Sequence, residues 1–171
     1  MRNNIGLVLA AAGLALFGFT PAARAQANLC AMLPGADVSS VVGSPVKLDG
    51  GSKPETNKSG TGTLTSQSCT YDPPGGIGSG PATVRVNITQ ASSVPLGAQM
   101  FKAQMQFNPV GKGDPVSGVG DEAQSFRAAG SIYMRKKNIL ADIHVGLRDL
   151  NTDRELAMGK ALAVKIAARV Q

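Results

Sequence analysis

Apolar and polar positions alternate most cleanly between Ala82 and Gln90, where Val84, Val86 and Ile88 interleave with Thr83, Arg85, Asn87 and Thr89. A period of two over this length predicts a strand with one buried and one wet face, as in an antiparallel sheet covered on one side. A second such stretch organises the later half of the chain. Val116-Ser-Gly-Val-Gly-Asp-Glu-Ala123 reads as a glycine-rich turn, and Ser131–Arg135 with Ile139–Leu147 reads as a β-hairpin turning at Lys137-Asn138. With that two-residue loop, Met134 pairs with Ala141 and Ile132 with Ile143, and all four share a face with Val145. The opposite face then carries Tyr133, Arg135, Asp142 and His144.

Helical spacing appears in three places. Val38, Val41 and Val42 form a short stripe closed by Gly43, with Pro45 beyond it and a short apolar turn over 28–33 ahead of it. Leu96, Met100, Ala103 and Phe107 predict a helix that ends before Pro109. Leu156, Gly159, Leu162, Ala163 and Ile166 predict a C-terminal helix whose small residues let it approach a sheet closely. Its start carries Thr152 and Glu155 at the spacing of a capping box.

Short strands are expected at Val46–Leu48 and Ser66–Tyr71, and Asp72-Pro-Pro-Gly-Gly76 is a turn. Residues 49–66, with Gly50-Gly51, Lys53-Pro54 and Ser59-Gly-Thr-Gly-Thr63, read as a mobile surface loop. The order shows neither regular β-α-β units nor internal repeats. It predicts one α+β domain: a single antiparallel sheet with helices packed on one face and the C-terminal helix covering it.

Composition changes this picture first at the N-terminus. Arg2, the apolar run Ile5–Phe19, Pro21 and the small-residue step Ala23-Arg24-Ala25 together predict a cleaved signal peptide over residues 1–25. The run is shorter than the about 20 residues a bilayer span requires, so no transmembrane anchor is expected after cleavage. The domain then occupies 26–171, is periplasmic or secreted, and is long enough to bury a core. Its formal charge falls from +6 to +4 as Arg2 and Arg24 leave. The basic residues are scattered and tryptophan is absent, which argues against nucleic acid as a partner. Two cysteines remain, Cys30 and Cys69. In an exported chain such a pair is read first as a disulfide, with a metal pair or a redox pair as rival readings.

Several of these motifs occur in a recognisable order. Cys30-Ala-Met-Leu-Pro34 leads into an acidic helix ending in Gly43-Ser-Pro45, then come Cys69-Thr-Tyr71, the turn at 116–123, a hairpin with a basic tip and a Leu/Ala-rich last helix. In this order the chain resembles the uncharacterised secreted and lipoprotein domains common in actinobacteria, which are similar to the extracellular sensor domains of some bacterial receptor kinases. The resemblance implies an α+β sandwich-like domain, a disulfide between the two cysteines and no agreed catalytic activity. The chain departs from the lipoprotein members in lacking a lipid-attachment context at Cys30, and from some sensor domains in lacking an extra cysteine pair.

Candidate chemistry is sparse. His144 is the sole histidine, and no serine lies in a Gly-x-Ser-x-Gly elbow. Asp121-Glu122 lacks the spaced acidic series of a calcium loop, and the neighbouring glycines do not follow phosphate-loop spacing. The simpler expectation is that Asp121 caps a short helical segment or bonds its own backbone. No cofactor is implied. What remains is the polar sheet face, with Arg85, Asn87, Tyr133, Arg135, Asp142 and His144 as candidate binding residues for an envelope protein or a small anionic ligand. An ordinary solvated β-face is the bland alternative. At the level of function, the alternatives are an enzyme acting on envelope polymer and a purely structural envelope component.

Overall fold

A computed structural model of the chain describes residues 28–60, 62–76, 79–109 and 111–171, so the expected signal segment lies outside the described residues. The elements are α1 (Gly35–Val42), β1 (Lys47–Leu48), β2 (Glu55–Ser59), β3 (Gly62–Asp72), β4 (Ala82–Ala91), α2 (Val94–Gln106), β5 (Asp114–Pro115), β6 (Glu122–Phe126), β7 (Ser131–Lys136), β8 (Ile139–Leu147) and α3 (Thr152–Arg169). All the strands join one antiparallel sheet in the order β1-β3-β4-β8-β7-β6-β5, with β2 also pairing β3. The fold is α+β.

The centre of the sheet is where sequence alternation is strongest. β4 pairs β8 from Ala82↔Leu147 to Gln90↔Ile139. The β7–β8 hairpin turns at Lys137-Asn138 and pairs Met134 with Ala141 and Ile132 with Ile143, as the spacing predicts. Its face carries the core: Val84, Val86, Ile88, Ile132, Met134, Ala141, Ile143 and Val145 are buried together with Leu162, Ala163 and Ile166 of α3 and Val38 and Val42 of α1. Burying a side chain of this size stabilises by roughly 1.5–3 kcal/mol. Gly159 permits the close approach expected of α3, since a Cβ there would lie 3.0 Å from Ile132 Cγ1.

Cys30 and Cys69 form a disulfide with Cα atoms 5.7 Å apart, tying the 3-10 turn Leu29–Met32 to β3. Around it, Gln67 accepts hydrogen bonds from the Leu29 and Cys30 amides at 2.7 and 3.3 Å and donates to the Ser52 carbonyl at 2.9 Å. The Tyr71 hydroxyl donates to the Leu33 carbonyl, and burial pushes the phenol up to about 12. A buried polar group is tolerated only when bonded in this way. α1 and α3 are joined at their ends by Asp37, which pairs with Arg169 at 2.5 Å and Lys165 at 3.2 Å. These two cations, Arg169 first, hold its carboxyl below the usual range.

Three expectations need correction. Residues 49–66 are not a loop throughout: 55–59 form β2, and β3 begins at Gly62. Pairing register from Glu55↔Ser66 to Ser59↔Gly62 makes this a polar hairpin on the sheet edge. Its residues lack an apolar face, so periodicity could not reveal it. The start of α3 is capped by Asn151, whose side chain accepts from the Arg154 amide, rather than by a Thr152–Glu155 box. Glu155 instead accepts from the Leu147 amide at 2.9 Å and fastens the helix to the end of β8. Phe107 is largely exposed, and the buried positions of α2 are Leu96, Gly97 and Phe101.

The glycine-rich turn owes its sequence to Gly120, which has φ +58° and packs so tightly that a Cβ would lie 2.3 Å from the Arg135 carbonyl oxygen. Gly118 has a similar φ of +76° but open space around it. Gly118→Ala should therefore cost only the left-handed strain, about 1 kcal/mol, whereas Gly120→Ala adds a backbone clash and should cost at least about 2 kcal/mol more. Denaturant unfolding of the two variants checks the difference.

Candidate functional site

Strand register places all six candidate residues on the face opposite the core. Across β4, β8 and β7 the rows are Arg85–His144–Ser131, Asn87–Asp142–Tyr133 and Thr89–Leu140–Arg135. The face is not uniformly wet, because α2 lies over one end of it. Phe101 of α2 is buried and stacks on Tyr133 with ring centroids 5.4 Å apart and planes 22° from parallel. Gly97 brings the same helix against the hairpin loop: a Cβ would sit 3.0 Å from Asn138 Cα. Asn138 in turn donates to the Ala91 carbonyl at 2.7 Å, anchoring the loop to the end of β4.

Arg135 therefore does not present a free guanidinium. It is only 9% exposed, and its Nε donates to Glu122 at 2.7 Å. One terminal nitrogen donates to Asp121 at 3.2 Å and to the Lys137 carbonyl at 2.9 Å. Asp121 also accepts from the Lys137 amide at 2.7 Å and the Lys136 ammonium at 2.9 Å. The Lys137 amide, followed by Lys136, holds its carboxyl below the usual range. Asp121 thus serves neither as a helix cap nor as a bond to its own turn; it clasps the hairpin tip. Tyr133 is likewise sheltered, and burial raises its pKa, with Asp142 adding to the effect. Both residues are parts of the scaffold rather than of an open surface.

The glycine-rich segment leads into β6, which the alternation reading missed. Glu122, Gln124 and Phe126 face the polar side of the sheet, while Ala123 and Ser125 face the core side, opposite Met134 and Ile132. The signal was present as a period of two, but only five residues long and with one large apolar residue on the wrong face. Phe126 is buried all the same.

The open part of the face contains Arg85, Asn87, Asp142 and His144. Thr83, Arg85, Asn87, His144 and Gly146 line a shallow depression of about 290 Å³. Arg85 and Asn87 are exposed, and among the described residues Arg85 has no ion pair. His144 Nε2 lies 3.2 Å from the Asp142 carboxylate, and the ring also meets the backbone of Ala129. The Asp142 hydrogen bond, assisted by the Asp142 charge and the Ala129 carbonyl, raises the His144 pKa above its usual value, against the opposing effects of burial and of Arg85.

Among the described residues no cluster of three or more His, Cys, Asp or Glu is arranged to hold a metal, and no helix is long and apolar enough to cross a membrane. Comparison of the chain with protein-family models, with curated proteins and with solved structures gives no match.

The two arginines of the face should separate in their effects. Arg135→Ala takes away the guanidinium that bonds Asp121, Glu122 and the Lys137 carbonyl and should destabilise by about 1.5–3 kcal/mol, as when a charged hydrogen-bond partner is lost. Arg85→Ala should change stability by no more than about 0.5 kcal/mol. Paired chemical denaturation measures both. For His144, a folded pKa above the unfolded value means that its contribution to stability is fully present below pH about 6.5 and is lost as pH rises through the folded pKa. Unfolding measured across pH 5.5–8.5 should show this decline in the native protein and a flatter profile in His144→Gln.

Proposed function

We propose that the chain is an exported, non-catalytic domain that binds a small anionic ligand or a protein partner in the cell envelope, through the open half of its polar sheet face. The observation that carries this reading is the exposed guanidinium of Arg85, without an ion pair among the described residues, set in a depression beside the His144 ring on an otherwise hydrogen-bonding surface. A guanidinium in that position offers its donors to a planar acceptor. Export is supported by the signal-like sequence of residues 1–25 and by the Cys30–Cys69 disulfide, a bond that persists in oxidising compartments. The resemblance to secreted and sensor domains points to the same class.

The hydrogen bonding of His144 supports binding over catalysis. A general base needs a lone pair aimed at the proton it removes. Here the ring meets two acceptors, a carboxylate and a carbonyl, which favour its protonated, donating form. The ring is thereby suited to contributing positive charge rather than to accepting a proton.

The test uses the oxidised protein immobilised in envelope extract, with retained proteins and small molecules identified by mass spectrometry. Arg85→Ala/Asn87→Ala is the informative variant, because Tyr133 and Arg135 belong to the packing beneath α2. A partner or ligand held by the native protein and lost from this variant is the expected result. Equal retention by both proteins, or none by either, overturns the reading.

A further inference from the structure

The open face contains an electrostatic mismatch. Arg85 and His144 are direct cross-strand partners in the β4–β8 ladder, so their side chains leave the sheet side by side. Like charges in that relation destabilise a sheet, and Arg85 opposes protonation of His144. Asp142 offsets part of this repulsion through the ring, which it meets at 3.2 Å from one row away, opposite Asn87, but it makes no ion pair with Arg85. Among the described residues, the other groups around the ring add no second anion. Ser131 on β7 is neutral and buried, Ala129 offers only its carbonyl, and the nearby Arg127 is occupied by Asp153 at 2.5 Å. Tyr133, with its raised pKa, stays neutral.

We propose that the depression beside Arg85 and His144 is a carboxylate subsite, in which one ligand carboxylate accepts hydrogen bonds from the guanidinium and lies against the charged His144 ring, whose own N–H groups stay with Asp142 and Ala129, flanked by Thr83 and Asn87. The inference rests on the reading of this face as a binding surface and adds the chemical class of the ligand. Thr83, Arg85 and Asn87 project from alternate positions of β4, about 7 Å apart along the strand, so they frame a group of carboxylate size. The charge of the cluster selects the ligand. Arg85 and protonated His144 contribute two positive charges and Asp142 one negative charge, leaving a single net positive charge to be neutralised. A monoanionic carboxylate matches that balance; a dianion such as sulfate exceeds it and is repelled more strongly by Asp142. Because the ligand relieves the Arg85–His144 repulsion, proton and carboxylate binding are linked, and each strengthens the other by the same factor.

The experiment follows the His144 ring and the Arg85 Nε–H by NMR in the oxidised protein while acetate is added, at pH 6.0 and at pH 8.5, with sulfate, a dianion at both pH values, as the comparison anion. The expected result is a saturable shift confined to Arg85, His144 and their strand neighbours, with acetate bound about threefold more tightly at the lower pH. Acetate should also raise the His144 pKa. Arg85→Ala should abolish the acetate response and, without any anion, raise the His144 pKa by removing the repulsion. Acetate shifts that survive Arg85→Ala, tighter binding of sulfate than of acetate, or no saturable response overturn the carboxylate subsite. If the envelope-extract capture is still lost in Arg85→Ala/Asn87→Ala, only the ligand class has failed. If the capture is also unaffected, the reading of the face as a binding surface fails with it.

Discussion

Arg135 holds a positive charge beneath α2, and the arrangement of the distal half of the sheet follows from how that charge is accommodated. A cation this sheltered requires both compensation and hydrogen-bond acceptors. Glu122 supplies one carboxylate from the adjacent strand, Asp121 another from the turn, and the Lys137 carbonyl a third acceptor from the hairpin loop. Three segments separated in sequence are thereby fixed to one guanidinium. The clasp also resists misregistration: a slip of one residue in β7 would turn Arg135 toward the core and Met134 toward α2. Gly120 belongs to the same device, since only a residue without a Cβ brings the Asp121 amide to 2.8 Å from the Arg135 carbonyl.

This clasp explains both what could be read from the chain and what could not. The β7–β8 register, the C-terminal helix against the sheet and the burial of Gly159 follow from local period and residue size, which are written in contiguous residues. The role of Arg135 is not. On a two-residue alternation it is indistinguishable from Arg85, as both are polar positions on the same face. What separates them is α2, whose approach depends on Gly97 meeting the loop at Asn138, a contact between residues some forty positions apart. Helical periodicity located α2, but its expected stripe of Leu96, Met100, Ala103 and Phe107 differs from the buried set of Leu96, Gly97 and Phe101. A glycine contributes nothing to an apolar stripe, yet here it marks the side of closest packing.

The outer strand β2 was illegible for a different reason. β2 has no buried face, and its ladder with β3 is made by the backbone and by exposed hydroxyl contacts such as Thr56–Thr65 at 2.8 Å. Pairing of this kind leaves no hydrophobic trace. The same polar composition suits an outer strand, where charge and short length limit pairing with other chains.

The division of the polar face by α2 is also what confines the candidate site. On the helix side, Arg135 is paired with Asp121 and Glu122 and Tyr133 is stacked on Phe101, so that half contributes rigidity. Beyond the helix, the same strands continue with Arg85 directly opposite His144 and without a carboxylate for the guanidinium among the described residues. Rigid strands hold the two groups in fixed relation, so little ordering is left to oppose a ligand that fits between them. Asp142 has a double effect in that setting: it favours the charged form of His144, and it leaves the cluster with too little positive charge to hold a dianion well. The feature that makes the core-side pattern easy to recognise, strict alternation along β4 and β8, is therefore also what brings the recognition groups into register on the other side.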